Sequence, residues 1–471
     1  MKNKTIYKYI GKVLIGFSIL QITPIIVALL HKERIAPFLI PLLISLVLGF
    51  ILNTLKIDSK KIYSKDGFII VALSWIVISL ISALPFVINK DLNYIDALFE
   101  AVSGLTTTGA TVFDDVESLP SSILYWRSFM HFIGGMGVLA FVMAIIPLSK
   151  NDKSMHLLKA EMPGPTVSKL VPSIKKTLFY LYAIYIGLTL LEFILLIIGH
   201  LKPFDAMLIS FGTAGTGGFS VLNSSLATYS TFSKWVVAIF MFLFGVNFNI
   251  YFLIIIKDFK SVWKSEELRT YIGIYIVAVL MIILNTYKMF DTLNECVLES
   301  FFHISSLMTS TGYSIGNINI YPTSAKTMCL FLMLISACAG STCGGFKMSR
   351  LIICLKSIKR DLLKIIHPNS VRSIKYEGNI VDENTIKSTN SFLFLYIIFI
   401  LVIMFIVSFD EYDFETTLNA VFTTFANVGL AFNITSFAEF SILSKIVLSI
   451  GMLLGRLEIF PIIVLFSDLR K

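Results

Sequence analysis

A series of long apolar runs constrains this chain more than any other feature, because most of these runs can cross a lipid bilayer as helices. A helix needs roughly 20 apolar residues to span the hydrocarbon core. Apolar residues make up 56% of the 471 residues and charged residues only 15%, which excludes a soluble globular domain. We predict an all-α polytopic membrane protein with ten spans, at about 13–30, 36–54, 68–88, 122–147, 177–199, 235–256, 271–287, 327–338, 391–408 and 443–466.

The distribution of charge predicts the orientation of these spans. Lys and Arg are concentrated in the loops on the side of the N-terminus, whereas Asp and Glu are concentrated in the loops on the other side. Cytoplasmic loops carry an excess of Lys and Arg, so both termini are expected in the cytoplasm. This topology accounts for the net charge of +9, and no nucleic-acid partner is expected.

Four segments between the spans share one pattern, in which an acidic residue begins an apolar stretch that leads into a polar run ending in glycine. The acid and the glycine are 13 residues apart in three copies and 14 in the fourth, and the copies are Asp96 to Gly109, Asp205 to Gly218, Glu299 to Gly312, and Glu415 to Gly429. Each copy has one span before it and one after it. The repeat therefore predicts four units of helix, pore hairpin and helix around a pseudo-fourfold axis.

The period of the repeat also predicts the division of the chain. We expect an N-terminal segment of two transmembrane helices at 1–62, followed by four pore repeats at 63–160, 161–265, 266–375 and 376–471. The third repeat is expected to have a broken inner helix.

The polar runs predict a cation filter. Non-helical backbone at membrane depth persists only where it is buried in protein or lines a water-filled cavity. A ring of carbonyl oxygens in an extended run can replace the hydration shell of an ion, and the negative ends of the preceding helix dipoles favour a cation. One Thr/Gly cluster alone is more simply a turn or a packing face, but four in register favour a filter. The four groups, which we call the filter tripeptides, are Thr107, Thr108 and Gly109; Thr216, Gly217 and Gly218; Ser310, Thr311 and Gly312; and Asn427, Val428 and Gly429.

A second short run interrupts the inner helix of the third repeat and predicts a gate. Glycine destabilises a helix by ~1 kcal/mol relative to alanine, so a run with three glycines in six residues should break it. We expect a loop beneath the filter rather than a small-residue packing face, with Lys347 near the cytoplasmic mouth. The gate loop consists of Gly340, Ser341, Thr342, Cys343, Gly344 and Gly345.

Several charged residues fall inside predicted spans, where charge is costly. Arg456 is expected to face the pore and to belong to the gate. The alternative, an ion pair with Glu458, is disfavoured because residues two apart do not share a helix face. Glu192 is expected to make an interhelical hydrogen bond or to be a protonated buried acid, with proton coupling as the weaker alternative. Trp126 and Arg127 are expected at the outer membrane boundary, as an aromatic belt residue and a snorkelling arginine without a transport role.

The stretch 361–390 is the only long polar linker. Its residues 371–381 alternate between apolar and polar side chains around Glu377, Gly378 and Asn379, which predicts a β-hairpin.

Four motifs resemble those of the Trk/Ktr/HKT superfamily of potassium transporters, most closely its TrkH-type subunits. They are Thr106–Thr111, Trp126–Phe129 followed by Gly134–Gly137, Ala339–Gly345, and Leu454–Phe460. Two positions depart from the family pattern, since Leu430 follows the fourth filter glycine where relatives often have proline, and Cys343 stands where a small residue such as alanine is familiar.

The resemblance implies four membrane, pore-helix, membrane units in a prokaryotic cell membrane. It also implies a homodimer and a cytosolic ring of nucleotide-binding regulatory subunits. No covalent cofactor is expected, and nucleotide is expected to act only through that partner, because the chain has no glycine-rich nucleotide motif of its own. Uncharged carbonyl ligands in a wide site favour K+, which is expected at Thr108, Gly109, Gly218, Thr311, Gly312, Val428 and Gly429.

A basic cytoplasmic surface is the expected docking site for the regulatory ring. Attraction to anionic lipid explains the charge alone, at ~1 kcal/mol per residue, but the resemblance favours a docking role as well. The residues are Lys150, Lys153, Lys159, Lys169, Lys175 and Lys176 in one linker, and Lys356, Lys359, Arg360, Lys364, Arg372 and Lys375 around the hairpin.

The predicted function is gated K+ uptake. The alternatives within the same fold are a Na+-permeable pore, which the glycine at position 109 disfavours, and a transporter coupled to H+ or Na+. An intramembrane enzyme would have to use the gate loop or Glu192, yet no general base recurs near either, so no enzymatic activity is predicted.

Overall fold

The computed structural model describes residues 3–55, 64–135, 137, 174–369 and 372–469, and these residues are mostly helical. Three 3-10 turns lie at Tyr287–Met289, Ile318–Ile320 and Ser408–Asp410. In chain order the helices are α1 Asn3–Leu20, α2 Ile22–Leu30, α3 Ala36–Asn53, α4 Ser64–Ser82, α5 Leu84–Ile88, α6 Tyr94–Leu105, α7 Ser121–Gly135, α8 Ile174–Ile198, α9 Pro203–Gly215, α10 Thr231–Phe244, α11 Phe248–Ile255, α12 Phe259–Lys264, α13 Glu266–Thr286, α14 Leu293–Met308, α15 Thr323–Ile335, α16 Met348–Ile366, α17 Glu383–Val407, α18 Phe414–Phe425, α19 Ile442–Arg456 and α20 Phe460–Leu469.

Six helical stretches in the described part of the chain are long and apolar enough to cross a membrane: Lys4–Leu30, Ala36–Asn53, Lys65–Ile88, Thr177–Ile198, Glu266–Met289 and Glu383–Asp410. Two bent pairs, α10 with α11 and α19 with α20, raise the number to eight if each pair is one span. Of the other two predicted spans, 122–147 continues outside the described residues, and 327–338 corresponds to α15, which has only 13 residues.

The last predicted span, 443–466, is not one continuous helix as we expected. Helix α19 ends at Arg456, and α20 leaves at an angle of 117°. Between them Glu458 and Ile459 both have left-handed backbone, with φ values of +59° and +60°. Left-handed backbone is unfavourable for a β-branched residue, so this break is held by its surroundings. The only local signal is Pro461 in the first turn of α20, where proline commonly begins a helix.

The N-terminal helices pack through small residues. Helices α1 and α3 come close at Gly11 and Gly49, where a Cβ on Gly11 would lie 2.8 Å from the carbonyl oxygen of Gly49. Contacts of this kind let the backbones of membrane helices approach each other. These helices cover α7 of the first repeat, since the ring of Trp126 packs against the rings of Phe17 and Phe38.

Four short helices, α6, α9, α14 and α18, recur at the positions of the repeated motif. Side chains cap three of them, because Asn93, Thr292 and Asp413 each accept a hydrogen bond from a first-turn backbone N–H, and α9 begins with Pro203. Each helix ends three or four residues before its filter glycine. The expectation of four half-helices that lead into polar runs is therefore confirmed.

The polar linker at 361–390 contains the hairpin that the sequence predicted. Strand β1, Lys375–Tyr376, pairs antiparallel with β2, Asn379–Ile380. Glu377 and Gly378 connect them with φ values of +50° and +78°, as a tight hairpin turn requires. The Glu377 carboxylate accepts hydrogen bonds from Ser265 Oγ and from the backbone N–H of Glu267, which ties the hairpin to the start of α13.

Candidate functional site

The four filter tripeptides have the same backbone conformation. Their first residues have φ values of +55°, +54°, +53° and +56°, and their glycines have φ values of +83°, +75°, +84° and +79° in chain order. The middle residue is not left-handed in any copy. We expected extended runs, but the backbone of each tripeptide alternates between left-handed and right-handed φ values. The reason is that the middle N–H turns back to the preceding helix, as Thr108 does to Ser103 O at 2.8 Å and Val428 to Thr423 O at 2.8 Å.

The tripeptides close into a ring in the order of the repeats. A Cβ on Gly109 would lie 1.9 Å from Gly217 O, and one on Gly218 would lie 2.0 Å from Thr311 O. A Cβ on Gly312 would lie 2.0 Å from Val428 O, and one on Gly429 would lie 2.2 Å from Thr108 O, which returns to the first repeat. Each glycine therefore abuts the carbonyl group that precedes the next glycine around the ring. Only glycine fits at these four positions, because the backbone is left-handed there and a side chain would collide with the neighbouring carbonyl group.

Burial differs within each tripeptide in the same way. The first two residues are buried in all four copies, whereas the glycine is partly accessible. None of the twelve residues is charged. The described residues also contain no group of three or more His, Cys, Asp or Glu side chains that could hold a metal ion. The groups that the ring can offer a cation are uncharged oxygen atoms of the backbone, of hydroxyl side chains and of the Asn427 amide.

The gate loop lies between α15 and α16, so the inner helix of the third repeat breaks where the sequence predicts. The loop contacts two of the tripeptides directly. The backbone N–H of Gly344 donates to Ser310 Oγ at 2.9 Å, and a Cβ on Gly344 would lie 2.7 Å from Asn427 Cβ. The Asn427 amide in turn donates to Thr108 Oγ1 at 2.9 Å, which joins the fourth and first repeats.

Arg456, the last residue of α19, ties the gate loop to the first repeat. Its guanidinium donates to Thr342 O at 2.6 Å, to Gly134 O at 2.6 Å and to Gly135 O at 2.8 Å. Glu458 pairs with Arg350.

Lys347 follows the gate loop directly before α16, and its position near the cytoplasmic mouth stays a prediction. Its side chain is buried, and the ammonium group donates to the carbonyl oxygen of Cys343 within the gate loop. Lys347 itself has left-handed backbone, with a φ of +79°, just after the loop.

The expectation for Trp126 and Arg127 was wrong. Trp126 is fully buried and donates through Nε1 to Ser82 O at 3.2 Å. Arg127 is 2% exposed and pairs with Glu100, which is 0% exposed, at 2.8 Å. The N-terminal helices cover Trp126, and α6 together with the segment after the second tripeptide encloses Arg127, so these side chains meet protein instead of lipid headgroups.

The Arg127–Glu100 pair stands behind the ring and connects the first two repeats. Glu100 accepts from the Thr111 hydroxyl and from the backbone N–H of Val112, just after the first tripeptide. Arg127 reaches the second repeat, with its guanidinium carbon 4.2 Å from the centre of the Phe219 ring. The carboxylate thus has several partners, as a buried charge requires.

Glu192 is fully buried on α8 in the second repeat. Neither carboxylate oxygen has a partner within hydrogen-bonding distance and angle among the described residues. The hydroxyl of Thr213, which lies close to it, donates to Ile209 O. The expected interhelical hydrogen bond is therefore not found in the described part of the chain, and a protonated buried acid stays a prediction.

His131 is a residue of the site that the sequence did not single out, because an isolated histidine in an apolar span carries no local signal. Its Nδ1 lies 2.8 Å from Gly104 O at the end of α6. Its Nε2 accepts from the backbone N–H of Phe219 at 3.2 Å, just after the second tripeptide.

Four residues of the predicted basic docking surface lie outside the described residues, namely Lys150, Lys153, Lys159 and Lys169. Met136 of the Gly134–Gly137 motif also lies outside them. Helix α8 includes Lys175 and Lys176, whose side chains are not described. On the hairpin side Lys356 pairs with Glu266 at 2.5 Å, and Arg360 pairs with Glu383 at 2.5 Å.

Comparisons with known proteins cover nearly the whole chain. A family model described as TrkH, a cation transport protein, matches residues 36–470. The chain is 35% identical to the Trk system potassium uptake protein TrkG of Escherichia coli (strain K12), over 96% of this chain and 95% of that protein. It is 32% identical to TrkH of Salmonella typhimurium, over 99% of each. It superposes on the crystal structure of the potassium transporter TrkH from Vibrio parahaemolyticus with a TM-score of 0.87 at 29% identity, over 99% of this chain and 98% of that chain.

The buried pair behind the ring makes a prediction about stability. Arg127→Met leaves the Glu100 carboxylate buried without its counter-charge, which should lower the free energy of unfolding by about 3 to 5 kcal/mol. The double variant Glu100→Gln/Arg127→Met should regain part of this loss, because no uncompensated charge remains. Thermal unfolding of the purified protein in detergent measures both.

The matched control is Glu415→Gln, which removes the carboxylate of an exposed pair with Lys326 at 3.4 Å. It should cost less than about 1 kcal/mol, as exposed ion pairs do. Equal losses in Arg127→Met and Glu415→Gln would contradict the role given to the buried pair.

Proposed function

Because this chain belongs to the TrkH family of cation transport proteins, we propose that it takes up K+ through a selectivity filter formed by the four filter tripeptides. The chain is a multi-pass protein of a bacterial cell membrane, and it is a transporter and not an enzyme. The observation that carries the proposal is the closure of the four glycines into one ring, each against the carbonyl group before the next.

The chemistry of the ring favours K+ over smaller or more highly charged ions. Carbonyl oxygens replace the hydration shell of a monovalent ion without binding it too tightly to leave. The filter has no carboxylate, which a divalent cation would favour. The relatives TrkG and TrkH are named potassium uptake proteins, and this supports the same ion for this chain. We assign K+ ligation to the backbone oxygens at Thr108, Gly109, Gly218, Thr311, Gly312, Val428 and Gly429.

Adding one methyl group to the ring tests this assignment. In Gly312→Ala the Cβ would lie 2.0 Å from Val428 O, and the residue would keep a φ of +84° only under strain. The neighbouring carbonyl must move, so Rb+ uptake into cells that lack other K+ uptake systems should fall at least about tenfold. A shift of only 1.4 kcal/mol in the barrier is sufficient for that change.

Gly273→Ala is the control for this variant, because a Cβ at this glycine of α13 would meet nothing within 4 Å. It should transport Rb+ like the unmodified protein. Normal uptake by Gly312→Ala, at an equal amount of protein in the membrane, would refute the assignment of the filter.

We propose that the gate loop opens and closes the path and that Arg456 holds it closed. The support is that the arginine joins Thr342 of the loop to Gly134 and Gly135 of the first repeat, while Gly344 lies against the third and fourth tripeptides. The fixed positive charge would also oppose the passage of a cation.

Arg456→Gln should therefore raise K+ flux, since a shortened neutral side chain cannot keep all three hydrogen bonds. Hydrogen bonds from charged groups contribute about 1.5–3 kcal/mol each, so an increase of tenfold or more is expected in proteoliposomes. Arg269→Gln serves as the control, because that arginine donates to Ser265 O and Lys264 O within its own turn, away from the loop. An Arg456→Gln protein with unchanged flux and unchanged apparent affinity for K+ would argue against this gate.

We further propose that the protein works as a homodimer with both termini in the cytoplasm, and that a nucleotide-binding regulatory subunit controls the gate. The support is the family membership together with the absence of a nucleotide-binding motif in this chain. The hairpin and α16 offer basic groups for docking, and α16 begins directly after the gate loop.

Co-purification with a Trk-type regulatory subunit, followed by flux assays with and without nucleotide, tests this arrangement. We expect complex formation that weakens as salt rises, because charged groups at the rim of an interface are screened. We also expect flux that changes when nucleotide is added. Full activity of this chain alone, with no response to subunit or nucleotide, would contradict the regulatory proposal and leave the filter proposal standing.

A further inference from the structure

The second filter tripeptide differs from the other three at its middle residue. Three copies have a side chain there, in Thr108, Thr311 and Val428, whereas the second has Gly217. The backbone does not require this glycine, because its φ is not positive. The lack of space requires glycine here, since a Cβ on Gly217 would lie 2.3 Å from both Cγ and Nδ1 of the His131 ring.

The His131 ring is held by two hydrogen bonds that run to different repeats. Nε2 accepts from the backbone N–H of Phe219, so it carries no proton, and Nδ1–H must be the donor to Gly104 O. The imidazole is therefore neutral and in one tautomer. Its partners are the last turn of α6, before the first tripeptide, and the residue directly after the second tripeptide.

The first and third tripeptides hold their middle residues through contacts of their own. The hydroxyl groups of Thr108 and Thr106 lie 2.8 Å apart, and those of Thr311 and Thr309 lie 2.7 Å apart. Gly217 has no side chain with which to make such a contact. The ring of His131, which is 0% exposed, fills that place from α7.

We propose that His131 is a positioning residue that determines selectivity at the second filter segment. Its ring replaces the side chain that Gly217 lacks, and its hydrogen bonds fix the first and second tripeptides relative to each other. The inference rests on the proposed function of the tripeptides as a K+ filter. It adds that His131, which lies outside the filter, determines the positions of the carbonyl groups of the second tripeptide. Gly217 leaves the space that the His131 ring occupies.

Two substitutions at position 131 separate hydrogen bonding from packing. His131→Gln keeps a donor for Gly104 O and an acceptor for the Phe219 N–H, whereas His131→Leu keeps a similar bulk with neither. Reversal potentials in reconstituted bilayers with K+ on one side and Na+ on the other give the permeability ratio. We expect the glutamine variant to stay near the unmodified ratio and the leucine variant to fall about tenfold, because two buried backbone groups lose their partners.

A double-variant cycle tests the steric pairing. Gly217→Thr copies the residue of the first and third repeats and should lower the ratio about tenfold, because its Cβ has no room beside the ring. Adding His131→Ala should lower the ratio no further than His131→Ala does alone, since the threonine can occupy the vacated space, so the double variant should fall about tenfold and not the hundredfold of two independent effects. Gly273→Thr, at a position with open space, is the control for the exchange itself.

The outcomes distinguish this inference from the proposal that it depends on. Equal ratios for the glutamine and leucine variants, or effects of Gly217→Thr and His131→Ala that simply add, would overturn the role of His131 while the filter proposal stands. An unmodified protein that passes Na+ as readily as K+ would overturn the filter proposal itself. If the leucine variant does not accumulate in the membrane, the missing additivity of Gly217→Thr and His131→Ala still decides the question.

Discussion

Backbone groups that leave a helix inside the bilayer must find partners within the protein, and this constraint shapes every unusual segment of the chain. The four tripeptides meet it by returning their middle N–H groups to the ends of the preceding helices and by packing against each other as a closed ring. The gate loop meets it through Ser310 of the third repeat, which accepts from the N–H of Gly344, and through Arg456 of the fourth, which donates to Thr342 O. Ser310 also belongs to the ring, so the loop and the ring are joined directly by a hydrogen bond.

The ring is fourfold in its backbone but not in what supports it. Between the first and second repeats the support is polar and buried, with Arg127, Glu100 and His131. Between the fourth and first repeats it is the amide of Asn427 on Thr108. Because one chain carries all four repeats, the contacts between each pair of neighbouring repeats can differ. Four identical subunits would have to make the same contacts at every junction. This asymmetry gives the second tripeptide its glycine and places the gate against the third and fourth.

The sequence predicts the repeated parts of this architecture well, because the signals there are local. The acid-to-glycine spacing locates all four half-helices, the three glycines locate the helix break, and the alternation around Gly378 locates the hairpin. The failures concern burial by distant elements. Hydropathy does not distinguish a helix face against lipid from one covered by other helices, so Arg127 was placed at the membrane boundary instead of against Glu100. The bend at Glu458 and Ile459 and the position of His131 likewise depend on partners far away in the chain.

The central claim is that the four glycines surround the site at which a monovalent cation sheds its water. Anomalous diffraction from crystals of the unmodified protein grown with Rb+ in place of K+ tests it most directly. The account predicts Rb+ density on the axis enclosed by Gly109, Gly218, Gly312 and Gly429, within contact distance of the surrounding carbonyl oxygens. Crystals of a protein that transports Rb+ but shows no density inside this ring, or shows it only elsewhere in the membrane region, would contradict the account.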